Sequence, residues 1–574
     1  MKNFKRFTAA IAATLMVASL SVPMAMNVSA ADITITAGDS GTHTYEAYQI
    51  FAGTLSGDVL SDIKWGKGIK EADYSAIYTE LKTKNAAFAK VVEEETIALS
   101  SPQEVADVLA ANNTTDSQVA KDFAEVVAKH LTDKATGTST GGTISGLDNG
   151  YYLVQDAATS PADPSENASK TRYILEVAGE DVKVDAKSAY PTVVKKVKEN
   201  SDVSDYKHPN LEEADADYND IADYNIGDTV PFKLYGTLPS NYDDYKQYYY
   251  EFTDTIGTEF NLPGTRADYT VKIDGEEITG NSNGVKVTVS NNTIKVTFDN
   301  LKEVTLPNDK VITKDSVITV EYSAVLNNTA KLGVPGQVNG VNLTYSNNPN
   351  QESSGDIDKG TTPYDGVIVF TYGIDINKYT GNTDNKLAGA KFAIYKKNAD
   401  NSETYLAFGK DGFTSLNNRP SDTDVAETDM TNASKGIWVS KDSNVIEIKG
   451  LDAGTYYIEE LEAPAGYNKL TDPIEVVVTP TYREDRQAWE YSPTGQAANA
   501  EGNAKALTAL TITNTENAEI SSGKGTVNIE NKAGSTLPST GGIGTTIFYL
   551  GGGAMVAVAG IVLITKKRMG KNAE

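Results

Sequence analysis

Gly454-Thr-Tyr-Tyr-Ile-Glu-Glu460 places Tyr456, Ile458 and Glu460 on one face and their neighbours on the other. A period of two is the spacing of a β-strand that lays one face on a core. The same pattern recurs outward in both directions. Around it lie Ile368-Val-Phe-Thr-Tyr-Gly-Ile-Asp-Ile, Ala390-Lys-Phe-Ala-Ile-Tyr, Val445-Ile-Glu-Ile, Ile474-Glu-Val-Val-Val, Leu510-Thr-Ile-Thr and Thr526-Val-Asn-Ile. These strands predict a β-sandwich domain over 364–534. Upstream, Thr192-Val-Val-Lys-Lys-Val, Thr229-Val-Pro-Phe-Lys-Leu, Phe252-Thr-Asp, Val285-Lys-Val-Thr-Val, Thr293-Ile-Lys-Val-Thr-Phe, Val317-Ile-Thr-Val-Glu-Tyr and Val341-Asn-Leu-Thr-Tyr predict a second sandwich over 190–363. The segment 31–189 reads as α+β. Asp32-Ile-Thr-Ile-Thr-Ala, Tyr45-Glu-Ala-Tyr-Gln-Ile-Phe and Gly150-Tyr-Tyr-Leu-Val-Gln are strands, whereas Ala72–Val92 and Gln103–Leu131 carry helical spacing, with a helix start at Ser101-Pro102. The fold class expected is therefore mainly β, in tandem domains.

Composition narrows the function classes. Asp and Glu number 78 against 51 Lys and Arg, which excludes a phosphate-binding surface and with it nucleic acid as partner. There is no cysteine, so any covalent staple must come from other chemistry. His43, His130 and His208 are the only histidines and lie far apart, so no metal site is expected. The acidic run Asp215-Ala-Asp217-Tyr-Asn219-Asp220 alternates oxygen ligands, yet a calcium loop would need Gly at its sixth place and Glu at its twelfth. Those places hold Asp220 and Ile226, and the run reads as a solvated loop. No cofactor is implied, and no Ser/His/Asp or metal constellation supports a surface hydrolase.

The two ends state where the chain goes. Lys2, Lys5 and Arg6 precede an apolar run that ends at Val28-Ser29-Ala30, the pattern of a cleaved signal peptide over 1–30. At the other end stand Leu537-Pro538-Ser539-Thr540-Gly541, an apolar run over 543–565 of bilayer-spanning length, and a basic tail over 566–574 with Lys566, Lys567 and Arg568. This order resembles the sortase sorting signal of Gram-positive surface proteins. The resemblance implies cleavage between Thr540 and Gly541, transfer of the Thr540 carbonyl to an amine, and a wall-anchored extracellular product.

Alternation also marks unusual core residues. Lys195 shares a face with Val193 and Val197, Asp254 with Phe252 and Ile256, and Asn339 with Val341 and Leu343. In the third domain Lys378 follows Ile374 and Ile376, Glu460 follows Tyr456 and Ile458, and Asn531 follows Val527 and Ile529; Asn514, after Leu510 and Ile512, is a rival. Buried polar groups cost several kcal/mol unless partnered, so each set is expected to meet. A dry lysine tends to a free amine and a dry acid to its protonated form. Attack of that amine on the Asn carboxamide, with the acid moving protons, would expel ammonia and leave an isopeptide bond.

Tyr457-Ile-Glu-Glu460-Leu-Glu-Ala-Pro464-Ala-Gly466-Tyr467 resembles the E-box of CnaB-type domains, and Asp375-Ile-Asn-Lys378 with Leu387-Ala-Gly-Ala-Lys-Phe resembles their opening. Tyr224-Asn-Ile-Gly-Asp, Phe252-Thr-Asp-Thr and Tyr345-Ser-Asn-Asn-Pro resemble the isopeptide-forming second domain of Gram-positive backbone (shaft) pilins. The resemblance implies that Glu460 and Asp254 catalyse Lys378–Asn531 and Lys195–Asn339 bonds. It also implies a covalently polymerised fimbrial subunit, with sortase, identical subunits and peptidoglycan as partners. Minor or tip pilins and a host or bacterial surface ligand are further candidates. The family's pilin motif usually reads Tyr-Pro-Lys, but here Tyr190-Pro191 precedes Thr192, so Lys187, Lys196 and Lys198 are the candidates for the intersubunit lysine, with Lys183 behind them. The first domain is expected to lack an internal bond, because no lysine precedes Lys64 in the mature chain, although Tyr151-Tyr-Leu-Val-Gln-Asp156 resembles a degraded E-box. A monomeric wall-anchored adhesin is the alternative reading.

Overall fold

The computed structural model describes residues 31–36, 42–56, 59–112, 117–160, 172–177, 180–185, 190–200, 218–279, 284–307, 310–349, 357–362, 364–421, 432–483, 506–534 and 543–569. The expected signal peptide over 1–30, the LPxTG residues, Lys187, Asp215 and Asp217 lie outside the described residues.

Among its described residues the N-terminal region holds two larger sheets and one two-stranded hairpin. One runs Val59–Trp65, Thr42–Ser56, Gly150–Ser160, Arg172–Val177; the other sets Ala31–Thr36 between Val182–Asp185 and Thr143–Leu147. Helices Tyr74–Lys84, Pro102–Ala111 and Gln118–Ala128 carry apolar stripes that meet Phe51 and Phe88 in one core. Ser101 caps the second helix by accepting from Glu104 N, and Pro102 occupies its first turn. The expected helix over 72–92 ends at Lys84: Ala89–Val92 and Glu95–Ala98 pair as a hairpin, turned by Glu93 and Glu94 at positive φ. β-Branched Val91 and Val92 favour that outcome over helix. The expected helix over 103–131 is two helices rather than one.

Two seven-stranded sheets form the middle sandwich, each a path of six strands with one short strand beside it: Phe260–Asn261 against Ile318–Leu326 in the first and Lys359–Thr361 against Gln337–Ser346 in the second. The first runs Tyr218–Asn219, Val193–Lys198, Thr229–Gly236, Ile318–Leu326, Thr270–Ile273, Glu276–Glu277. The second runs Ile221–Asp223, Asp365–Phe370, Gln337–Ser346, Tyr250–Ile256, Thr293–Phe298, Val285–Ser290. In the third sandwich one sheet runs Asn382–Lys386, Tyr372–Thr380, Lys524–Glu530, Glu516–Glu519. The other runs Gly412–Leu416, Glu403–Gly409, Lys391–Lys397, Gly454–Glu462, Ile474–Tyr482, Leu507–Ile512.

Asp365–Phe370 corrects the boundary expected at 363/364. It pairs with Gln337–Ser346, so the middle sheet continues to Phe370. The run Val367-Ile-Val-Phe370 gave no clue because both its faces are apolar. Val367 and Val369 enter the middle core, while Ile368 and Phe370 enter the third. One strand thus walls two cores. The seam beside it is tight: the backbones of Gly333 and Gly523 approach so closely that a Cβ on Gly523 would lie 2.2 Å from Gly333 N. Asp223 and Asp452 also meet there, with Asn200 donating to Asp452 at 2.9 Å and Ala453 N to Asp223 at 2.9 Å. Burial and the adjacent Asp223 push the Asp452 carboxyl up to about 10. The N-terminal region meets the middle sandwich differently, through the partly exposed ion pairs Lys121–Asp244 and Lys246–Glu125.

The helix Ile543–Met569 has 27 residues. At about 1.5 Å per residue it is ~40 Å long, enough to cross a ~30 Å hydrocarbon layer. It carries Lys566, Lys567 and Arg568 on its last turn, which the expected boundary at 565/566 had left outside it.

Candidate functional site

In the middle sandwich, strand pairing carries Lys195 to the core from the first sheet and Asp254 and Asn339 from the second. Asp254 lies opposite Val341, and Ile256 opposite Asn339, so the acid and the amide occupy neighbouring positions on one inner face. Lys195, Asp254 and Asn339 have no solvent exposure. Lys195 Nζ donates to Asp254 Oδ2 and, at 3.1 Å, to the hydroxyl of Tyr322. Tyr322 donates to Asp254 Oδ2 at 2.9 Å and accepts from Asn339 Nδ2 at 2.8 Å. The Asn339 Oδ1 and Asp254 Oδ1 atoms have no hydrogen-bond partner. Phe232 and Tyr322 rings lie 5.2 and 5.3 Å from Nζ. Burial lowers the Lys195 amine to about 8 against the pull of Asp254, and burial raises the Asp254 carboxyl. Both shifts point to the neutral pair, the form in which the amine has a lone pair.

The third sandwich arranges its set differently. Lys378 lies on the strand Tyr372–Thr380 and Asn531 directly follows its parallel neighbour Lys524–Glu530, with Lys378 beside Ile529 and Asn531 N donating to Tyr379 O. Glu460 reaches them from the opposite sheet. Lys378 Nζ stands 3.2 Å from Glu460 Oε1, and Asn531 Nδ2 donates to Glu460 Oε2 at 3.1 Å. Asn531 Nδ2 also donates to Asn468 O at 2.7 Å, which only accepts, so the amide is oriented with its nitrogen toward the acid. Leu470 N donates to Glu460 Oε2 at 2.8 Å. That contact exists because Ala463-Pro-Ala-Gly466 turns the chain back, with Gly466 at φ 88°, where a side chain would be strained. All three side chains are buried, and burial lowers the Lys378 amine. Asn514 is not part of this set: it is exposed and donates to Glu475 O.

Other candidates fall elsewhere. Lys196, which alternation turns away from the Lys195 face and so toward solvent, is instead 3% exposed and paired with Asp220. The strand Val193–Lys198 has a covered outer face, since Asp365–Phe370 and Ile221–Asp223 pack near it. Burial pushes the Asp365 carboxyl there up to about 6. Lys198 is half-buried and Lys183 exposed. The described end of the acidic run is not a solvated loop either, because Asn219 and Asp223 are buried within short strands and Asp220 is buried at the bend between them. In the N-terminal region the acid of the degraded E-box, Asp156, is buried against His43 Nδ1 at 2.6 Å, and His43 stacks on Tyr45. A histidine thus meets that acid where the other two sandwiches present a lysine. Sequence reasoning missed His43 and Tyr322. The signal available for Tyr322 was its inward alternation with Val320 and Ala324, which marks an ordinary core residue just as well.

Two family models match. Residues 372–488 match the SpaA prealbumin-like fold domain, and residues 529–569 match the LPXTG cell wall anchor motif. The first match begins at Tyr372, the first residue after the shared strand and Thr371. The trypsin-resistant surface T6 protein of Streptococcus pyogenes serotype M6 is 27% identical over 296 residues, which are 43% of this chain and 48% of that protein. The chain therefore aligns with about half the length of this curated relative. Among solved structures, the T6 backbone pilin of S. pyogenes superposes with a TM-score of 0.47 at 18% identity, covering 90% of this chain and 100% of the other. The major pilin SpaD of Corynebacterium diphtheriae gives a TM-score of 0.43 at 14% identity, covering 89% and 98%. With its apolar C-terminal helix beside the matched anchor motif, the chain is a wall-anchored Gram-positive surface protein, homologous to the T6 protein and carrying a SpaA-type prealbumin-like domain.

Proposed function

We propose that this protein is the backbone subunit of a sortase-assembled pilus, made rigid by an internal Lys–Asn amide in each of its two C-terminal sandwiches. The observation that carries this reading is the presence of a buried lysine, acid and asparagine in each sandwich of a chain that ends in a wall-anchor motif. Retaining two dry ion pairs is a poor way to gain stability, because the desolvation cost offsets the attraction. Conversion to an amide removes both charges and adds a covalent tie. In each set the Lys Nζ would attack the Asn Cγ. The protonated acid supplies the proton that reaches the leaving nitrogen, ammonia departs, and the resulting carboxylate takes the proton that the amine sheds. Asp254 serves Lys195 and Asn339; Glu460 serves Lys378 and Asn531. The orientation of Asn531 supports proton delivery to nitrogen as the acid's main task.

Between subunits, sortase would join the Thr540 carbonyl of one chain to a lysine of the next. Lys187 is the first choice, followed by Lys198 and Lys183; the burial of Lys196 removes it. Peptidoglycan takes the last subunit. The test is the intact mass of residues 31–540 made without sortase. Loss of two ammonia molecules is expected, with Asp254→Ala and Glu460→Ala each restoring one. On cells, sortase-dependent ladders should vanish when the receiving lysine is replaced. An unreduced mass would sink the internal bonds, and absence of ladders would favour a monomeric wall-anchored adhesin.

A further inference from the structure

Resting on that reading of the middle sandwich, we infer that Tyr322 is a catalytic residue of the Lys195–Asn339 reaction, relaying the proton from Asp254 to the leaving nitrogen. The two sites differ in how far the acid reaches. Glu460 accepts directly from Asn531 Nδ2 at 3.1 Å. Asp254 is one methylene shorter, and its bonds in the site run to Lys195 and Tyr322. The gap between acid and amide is filled by the Tyr322 hydroxyl, 2.9 Å from Asp254 Oδ2 and 2.8 Å from Asn339 Nδ2. A hydroxyl has one proton to give and two lone pairs. Here it donates to Asp254 and accepts from Lys195 and Asn339, so its hydrogen-bonding capacity is used entirely within the site.

The steps balance without an outside reagent. Lys195 Nζ, as the neutral amine, bonds to Asn339 Cγ. Asp254, protonated at the start, gives its proton to the Tyr322 oxygen as the Tyr322 hydroxyl turns from Asp254 to the amide and gives its own proton to Asn339 Nδ2. The C–N bond breaks to release ammonia, and the Asp254 carboxylate takes the proton that Lys195 sheds. Tyrosine and aspartate end as they began. Burial and the nearby Asp254 hold the Tyr322 phenol well above its ordinary value, so the hydroxyl carries its proton before the reaction. The third sandwich needs no such relay and serves as an internal control.

Never-folded full-length chain, recovered from inclusion bodies, is refolded and quenched in denaturant at intervals; peptide mapping then follows each ammonia loss. In Tyr322→Phe, the middle-domain loss should slow on the order of 100-fold, the scale of general acid–base catalysis, while the third-domain loss keeps its wild-type rate. Adding Asp254→Glu to Tyr322→Phe should restore most of the rate, because the longer acid spans the gap. Thermal melting of Lys195→Ala with and without Tyr322→Phe reports whether the ring still packs. A wild-type rate in Tyr322→Phe overturns the relay. Slowing that the longer acid does not rescue also overturns it and assigns Tyr322 to packing. If the wild-type middle domain loses no ammonia, the cross-link itself fails, a result distinct from either.

Discussion

A lysine and a carboxyl out of reach of water share one proton more readily than they hold two charges apart. The reactive arrangement, free amine beside protonated acid, contains the same number of protons as the ion pair, so passing from one to the other needs no change in pH. What pH can remove is the last proton of the pair. Burial lowers that step at Lys195 from the ordinary lysine value to about 8. Cross-linking of the middle sandwich should therefore hold steady up to about pH 8 and then fall roughly tenfold per unit, more than two units earlier than an ordinary lysine near 10.4 would dictate. Refolding rates of ammonia loss across that range check this, and a rate that climbs through pH 8 would show that amine deprotonation alone is limiting. At this scale much of the site was legible. A period of two converts spacing into facing, and it put Lys195, Asp254, Asn339, Lys378, Glu460 and Asn531 on inner faces. Alternation cannot tell an outer face from a second inner one, which is why Lys196 was misplaced. Nor can it single out one core tyrosine, since the role of Tyr322 arises from the pairing of strands distant in sequence.

Strands bury residues in pairs of faces, and Asp365–Phe370 uses both. Its odd-numbered valines complete the middle core and its Ile368 and Phe370 the third. A hydrophobic run with no polar face reads equally well as the end of one domain or the start of the next, so the sequence pattern left the boundary undetermined. The energetic consequence is coupling. Phe370 is fully buried and stacks on Tyr482 with ring centroids 5.8 Å apart. Phe370→Ala should cost about 3–5 kcal/mol in the third core. Because the same strand is hydrogen-bonded between Ile221–Asp223 and Gln337–Ser346, the middle sandwich should lose stability with it. Calorimetry in a Lys195→Ala, Lys378→Ala background checks this: both transitions should move down together. Movement of the third-domain transition alone would mean that the strand joins the two cores without coupling them. The N-terminal region should be indifferent to the change, since its contacts with the middle sandwich are partly exposed ion pairs of small worth.

For the molecule under tension, the two cross-links are not equivalent. In the third sandwich, load enters at Tyr372, travels along the strand to Lys378, and would cross the amide to Asn531, three residues before the end of the described domain at Gly534. No sheet ladder lies between entry and exit. In the middle sandwich, load enters at Val193 and would cross from Lys195 to Asn339, but the chain leaves through Asp365–Phe370 rather than through the strand that carries Asn339. The antiparallel ladder from Gln337 opposite Val369 to Val341 opposite Asp365 must then hold. A ladder resists by hydrogen bonds of about 1 kcal/mol net each, helped here by the burial of Val367 and Val369 in the middle core. If it yields, the segment from Gly340 to Asp365 pulls out, and its full extension is on the order of 90 Å at ~3.5 Å per residue. Pulling a single cross-linked chain by its ends should therefore show no lengthening from the third sandwich and at most one short event from the middle. Asp254→Ala, which prevents the middle amide, should replace that event with full unfolding of the sandwich, and Glu460→Ala should release the third instead. Full-length unfolding of the third sandwich in the wild-type chain would mean that Lys378 and Asn531, though adjacent, are not joined.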